Sequence, residues 1–233
     1  MREIVFDTET TGLSPRDGDR VIEIGAIELI NHFPSGKIYH IFINPEERQV
    51  DPGAFNVHGI SNDFLKDKPK FEEIATEFLE FFSEGNLIAH NAGFDMGFLN
   101  AELARLDIAP IANDRVIDTL QIARRKHPAG PNSLDALCSR YNIDNSHRTK
   151  HGALLDSELL AEVYLELIGG RQAALGLGEV EEQSMTAPTI GSGTKEPQIR
   201  RPSPLHSRLS EAEQVAHAKF VDSIGDNAIW KQV

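Results

Sequence analysis

The chain has 233 residues, 40% hydrophobic and 25% charged, which suits one well-buried domain with appendages. No segment approaches the roughly 20 apolar residues of a bilayer span, and the opening MREIVFDTET lacks the apolar core of a secretory signal. A formal charge of −13 argues against a generally basic nucleic-acid surface, and the single cysteine, Cys138, excludes an internal disulfide and fits a reducing cytoplasm.

The charge is uneven. Residues 1–170 carry 16 Lys and Arg against 28 Asp and Glu, whereas residues 171–233 carry 7 against 8. A phosphate substrate would be repelled by most of this surface, so it must be gripped locally, through metal ions or a partner.

In chain order, REIVFD, RVIEIGAIELI and KIYHIFI are apolar or alternating and predict three strands. Their connections, TGLSPRDGD and NHFPSG, are short and turn-rich, so antiparallel pairing is expected. KFEEIATEFLEFFSE then shows helical spacing, NLIAH a short strand, FDMGFLNAELARLD a helix, and RVIDTL a strand running into helical QIARRKH. SLDALCSRY and DSELLAEVYLELIG close the domain as helices, with Cys138 as a small apolar core residue. The order predicts an α/β fold, a mixed central sheet flanked by helices, over residues 1–170. Residues 171–208 are poor in large apolar side chains and read as a flexible linker. Within 209–233, LSEAEQVAHAKFVDSIG has the pattern of an amphipathic helix.

Three acidic fragments carry chemistry. Asp7 and Glu9, two apart in an extended strand, project to the same side of the sheet, an arrangement that is costly unless a proton or cation is shared. A solvated turn is the plain alternative. In HNAGFDMGF, Asn91 is placed to cap a helix whose first turn holds Asp95, where a helix N-terminus would also favour a carboxylate. In HRTKHGALLDSELL, Asp156 opens the last helix, and Gly152 lets His151 hang from the preceding loop. Four carboxylates without a Cys or His cluster describe a hard oxygen site for Mg²⁺ or Mn²⁺ rather than zinc. Two such ions, roughly 4 Å apart, can clamp a phosphodiester while a histidine takes a proton from water.

FDTET, HNAGFD and HGALLD together resemble the three motifs of the DEDDh 3′–5′ exonucleases, in family order, and the likeness extends over residues 4–168 through IEIGAIE, VHGI, DTL and NSLDALC. It is greatest to the proofreading members that serve bacterial replicative polymerases. The resemblance implies a ribonuclease H-like fold and release of 3′-terminal nucleotides as 5′-monophosphates. It also implies two Mg²⁺ (or Mn²⁺) on Asp7, Glu9, Asp95 and Asp156, with His151 as general base. Asp7, Glu9, Asp156, Thr8, His58 and Asn91 would contact a frayed or single-stranded 3′ DNA end. His58 is equally readable as a turn residue satisfied by backbone, and Gly53 in DPGAF stands where a related segment has a contacting Glu. Arg148 and Lys150, and less so Arg124, Arg125 and Lys126, are candidates for the local phosphate grip.

RQAALGL resembles sliding-clamp-binding peptides, with Gln172, Leu175 and Leu177 at the matching positions. The resemblance further implies that the C-terminal segment, with Phe220, Ile224, Ile229 and Trp230, binds the catalytic (alpha) subunit of the polymerase. A small theta-like third subunit is a further partner known in the family. A flexible tether would hold a weak catalytic contact at high effective concentration. Two rival functions stand beside proofreading: a stand-alone DEDDh trimmer of RNA or repair intermediates, and a non-catalytic clamp–polymerase scaffold. The tether argues against the first, and the intact Asp7, Glu9, Asp95, His151 and Asp156 against the second.

Overall fold

In the computed structural model, residues 1–148, 150–169 and 210–224 are described. The chain divides into two units, residues 1–179 and 180–233.

The first unit is built on a five-stranded sheet of order β3-β2-β1-β4-β5. Strands β1 (Arg2–Thr10), β2 (Val21–Ile30) and β3 (Phe33–Phe42) form an antiparallel meander, while β4 (Asn86–Ala89) and β5 (Val116–Asp118) extend it in parallel from β1. The expected mixed sheet is therefore present. β3 begins at Phe33, earlier than the alternation from Lys37 suggests. Asn31 and His32 both adopt left-handed backbone, φ 52° and 69°, which closes a two-residue hairpin and leaves no loop through Gly36.

Helices cover both faces. On one lie α3 (Phe71–Phe82) and α4 (Gly93–Arg105), whose Phe78, Phe82, Phe98 and Leu99 pack against Ile4, Phe6 and Ile24. Ahead of them come two short helices that the sequence pattern did not reveal, α1 (Pro52–His58) and α2 (Asn62–Leu65). They are too short to show a periodicity. Pro52 opens α1, and Gly59 ends it with φ 76°.

The other face carries α5 (Thr119–Lys126), α6 (Leu134–Tyr141) and α7 (Ala153–Leu167). Leu160, Ala161 and Tyr164 of α7 pack on Val5, Leu29 and Ile88. Cys138 is fully buried between α6 and α7, and burial raises its thiol to about 11, as befits a core residue. Lys126 donates from Nζ to the carbonyls of Glu166 (2.7 Å) and Leu167 (3.2 Å), satisfying the end of α7.

α7 comes to backbone contact with the sheet at Gly25. A Cβ there would lie 2.2 Å from backbone atoms of Ala153 and Leu154, and Ser157 Oγ donates to the Gly25 carbonyl at 2.8 Å. Gly25 stands directly opposite Asp7 in the β1–β2 register. The first turn of α7 is thereby laid beside the acidic end of β1.

In the second unit, α8 (Glu211–Ile224) forms where an amphipathic helix is expected. Ser210 and Glu213 cap it reciprocally: Glu213 N–H donates to Ser210 Oγ (3.3 Å), and Ser210 N–H donates to Glu213 Oε2 (2.8 Å). Val215 and Phe220 are exposed. The linker, Gln172, Leu175, Leu177, Ile229 and Trp230 lie outside the described residues. No described helix is long and apolar enough to cross a membrane.

One substitution should have opposite signs at two glycines. Gly25→Ala forces α7 off the sheet and should cost about 1–3 kcal/mol or more. Gly53→Ala, where a Cβ meets nothing within 4 Å on α1, should gain up to about 1 kcal/mol from helix propensity. Paired denaturant melts measure both.

Candidate active site

Alternation along β1 sends Val5, Asp7 and Glu9 toward the α7 face, and Ile4, Phe6 and Thr8 toward the α4 face. Glu9 is buried and Asp7 half-buried. Asp95 comes from the other layer. It sits in the first turn of α4, just past the end of β4, where Thr8 Oγ1 donates to its Oδ1 at 2.7 Å. Asp156 lies in the first turn of α7, three residues after the helix begins at Ala153 with Gly152 as N-cap. Gly152 is extended, at φ −158°, a conformation open to any residue, so His151 owes its loop position to the cap and not to glycine's freedom.

The four carboxylates feel one another's charge. Burial first, then Asp95, Glu9 and Asp156, pushes Asp7 well above the usual carboxylate range. Burial and the facing Glu23 raise Glu9 to about 8, and burial raises Asp95 to about 7 despite the Thr8 hydrogen bond. Asp156 differs. Burial would raise it, but the His151 ring and the Arg148 guanidinium outweigh that and hold it below its ordinary value. His151 Nδ1 stands 3.2 Å from Asp156 Oδ2.

The remaining candidates distribute as follows. His58 ends α1 and is buried; its Nδ1 accepts from Ile60 N–H at 3.0 Å, and its ring interacts with the backbone of Thr10. Burial lowers its pKa. Asn91 does not cap α4 with its side chain. It takes a left-handed conformation (φ 68°), its N–H donates to Asp118 Oδ1, and its own carbonyl accepts from Phe94 N–H. Its side chain is left exposed at the strand end. Lys150 donates to the Asn56 carbonyl at 3.2 Å, and His151 N–H to that of Val57, so the loop before α7 is tied to α1. Of the basic clusters, Lys126 is occupied with α7, Arg124 and Arg125 are exposed on α5, and Arg148 is turned inward.

Glu23 escaped sequence reasoning, and Arg148 and Thr8, expected to meet phosphate and nucleotide, instead hold carboxylates of the site. Glu23 faces Glu9 across the β1–β2 pair and is bound to His40 Nε2 at 2.7 Å. Arg148 reaches Asp156 and, through Asp135, α6. Thr8 braces Asp95 between layers. The alternation in IEIGAIE places Glu23 on the Gly25 face, but the register that sets it against Glu9 is a pairing property. Nothing local could signal it.

The donor set suits a divalent cation. Carboxylate oxygens of Glu9 and Asp156 and a nitrogen of His151 lie within 4.8 Å of one another, and the carboxyls of Asp7, Glu9 and Asp95 stay raised although the Arg148 guanidinium pulls Asp7 and Glu9 down.

An exonuclease family profile, RNase T, matches residues 4–164. The chain belongs to this exonuclease family. Among relatives of the RNase T exonuclease chain, the DNA polymerase III subunit epsilon of Rickettsia felis is 46% identical over 229 residues, covering 96% of this chain and 97% of that protein. The subunit of the same name from Escherichia coli K12 is 43% identical over 242 residues, covering 99% and 97%. In three dimensions the exonuclease domain resembles the nuclease domain of 3′hExo, a DEDDh family member bound to rAMP. That match has a TM-score of 0.61 at 17% identity, over 72% of this chain and 91% of that one. Exonuclease X in complex with 5′ overhanging duplex DNA matches with a TM-score of 0.55 at 23% identity, over 76% and 93%.

Raised carboxyls have a thermodynamic signature. Glu9 and Asp95 keep their protons in the fold at pH values where the unfolded chain has lost them. Their contribution to stability therefore falls as pH rises from the ordinary carboxylate range, about 4, through 7 to 8. With chelator present, a Glu9→Gln/Asp95→Asn double variant should lose less melting temperature than wild type between about pH 5 and about pH 9. Parallel slopes in the two proteins would contradict the assignment.

Proposed function

We propose that this chain is a 3′–5′ exodeoxyribonuclease that proofreads for a bacterial replicative DNA polymerase, removing mispaired 3′-terminal nucleotides as 5′-monophosphates. The observation that carries the reading is the convergence of Asp7, Glu9, Asp95 and Asp156 beside His151. It occurs in a chain alignable over nearly its whole length with DNA polymerase III epsilon subunits. Two divalent cations, Mg²⁺ or Mn²⁺, held by the four carboxylates would supply charge neutralisation and Lewis-acid polarisation at the phosphodiester.

The chain's own residues do the rest. The carboxylates repel a bare phosphodiester, so the terminal nucleotide settles only where that repulsion is cancelled. Thr8 fixes Asp95 against the strand end, and Gly25 admits Asp156 to the same place. His58, buried at the end of α1, and Asn91, exposed beyond β4, would contact the terminal nucleotide together with Thr8 and the acidic ends of β1 and α7. His151 takes the proton of the attacking water while Asp156 orients its ring. The bond from phosphorus to the penultimate 3′ oxygen breaks, that oxygen is protonated, and the last nucleotide leaves as its 5′-monophosphate.

The partners belong to the same reading. Residues 209–233, including α8 with its exposed Val215 and Phe220, would bind the polymerase catalytic subunit; Gln172, Leu175 and Leu177 would engage the sliding clamp; a small theta-like subunit would join the domain. The setting is the bacterial cytoplasm.

A 5′-labelled single-stranded DNA oligonucleotide with Mg²⁺ should yield a ladder shortening from its 3′ end. EDTA should abolish it, and His151→Ala should slow it about 100-fold or more. Cleavage that survives EDTA, or RNA degraded in preference to DNA, would overturn the proposal.

A further inference from the structure

Asp156 has both carboxylate oxygens engaged by one side chain. Arg148 donates from Nε to Oδ1 at 2.5 Å and from Nη2 to Oδ2 at 2.6 Å, the planar fork typical of a guanidinium on a carboxylate. The same Nη2 lies 2.7 Å from His151 Nδ1, and Nη1 donates to Asp135 Oδ1 at 2.7 Å. The Arg148 side chain is 6% exposed, so this is an enclosed arrangement and not a surface ion pair.

Two consequences follow from the chemistry of the guanidinium. It can only donate, so His151 Nδ1 must be the acceptor in that contact, and the neutral ring carries its proton on Nε2. A general base placed this way offers water a proton where it needs a lone pair. Second, Arg148 fills the coordination directions of Asp156 and brings positive charge to the space bounded by Glu9, His151 and Asp156. A divalent cation taking Asp156 as ligand meets like charge there.

Asp135 supplies the other half of the device. It is half-exposed on α6, outside the carboxylate cluster, and holds Arg148 through a separate nitrogen. Arg148 can give up Asp156 without becoming an unpaired charge. His151 Nδ1 is already 3.2 Å from Asp156 Oδ2, ready to donate there once Nη2 withdraws, which leaves Nε2 with its lone pair.

We propose that Arg148 is a positioning residue that exchanges with the divalent cation: cation binding moves it from Asp156 to Asp135 and switches His151 to the tautomer competent as a base. The inference rests on the divalent-cation reading of the site above. It ties the protonation geometry of the base to cation occupancy, so that His151 is armed only when Asp156 is in use.

The test uses full-length protein freed of metal with EDTA and then dialysed. Calorimetric titration with Mn²⁺ should give a Kd for Arg148→Gln at least about 5-fold lower than wild type. Asp135→Asn, which removes the resting place, should shift Kd in the opposite direction. Should Arg148→Gln fold poorly, Arg148→Lys, which keeps a charge but loses the fork, should still bind Mn²⁺ more tightly than wild type. A second measurement needs no variant. Nitrogen NMR of the His151 ring should show the proton on Nε2 with EDTA and on Nδ1 with saturating Mg²⁺. Equal or weaker Mn²⁺ binding by both Arg148 variants, with an unchanged His151 tautomer, would overturn the exchange alone. Absence of Mn²⁺ binding by wild type and variants alike would overturn the site reading with it.

Discussion

The contact on which the site depends is small and made by backbone: the first turn of α7 resting on the bare Cα of Gly25. β1 brings Asp7 and Glu9 to one place by local geometry, and α4 brings Asp95 through a layer contact with Thr8. Asp156 is about 150 residues away in sequence and reaches the cluster only because a helix and a strand can approach to backbone contact at that point. A methyl group there would separate the acidic ends of two elements. The Ser157 hydrogen bond to the Gly25 carbonyl uses the same closeness, so polar satisfaction and steric fit pin the helix together.

Against that contact works electrostatic repulsion. Asp7, Glu9, Asp95, Asp156 and Glu23 are gathered where burial already disfavours charge, and among the described residues only Glu23, through His40, and Asp156, through Arg148 and His151, are paired with a basic side chain. The sheet and its two helix layers must supply the stability that this cluster opposes. The phenylalanine-rich packing of α3 and α4 on one face, and the aliphatic packing of α7 on the other, meet that demand away from the acidic end. A stable core and a strained edge are thus properties of one β-sheet.

Much of this was legible in the sequence, for identifiable reasons. Strands β1 and β2 and helices α3, α4, α6 and α7 announce themselves by period, because each buries one face. The placement of Asp7 with Glu9 follows from the two-residue repeat of a strand. What was not legible depends on pairing or on short-range geometry. Helices α1 and α2 are too brief for a period, and the hairpin at Asn31 and His32 uses left-handed backbone at residues other than glycine. Asn91 illustrates the same limit: its type suits a cap, but its left-handed backbone hands the capping to its carbonyl. The inward turn of Arg148 was hidden for a different reason, since a basic residue beside a histidine reads equally well as a solvated charge until its carboxylate partner is located.

The clasp of Lys126 on the final carbonyls of α7 has a mechanical meaning. α7 is a rod of 15 residues, about 22 Å long, with Asp156 in its first turn and the onward chain leaving from its last. A pull on the end of α7 meets the ammonium of Lys126, which holds the carbonyls of Glu166 and Leu167 to α5. The load passes into the body of the domain there, most of a helix length from Asp156. A load entering at the end of α7 thus meets a hold on α5 before it reaches Asp156.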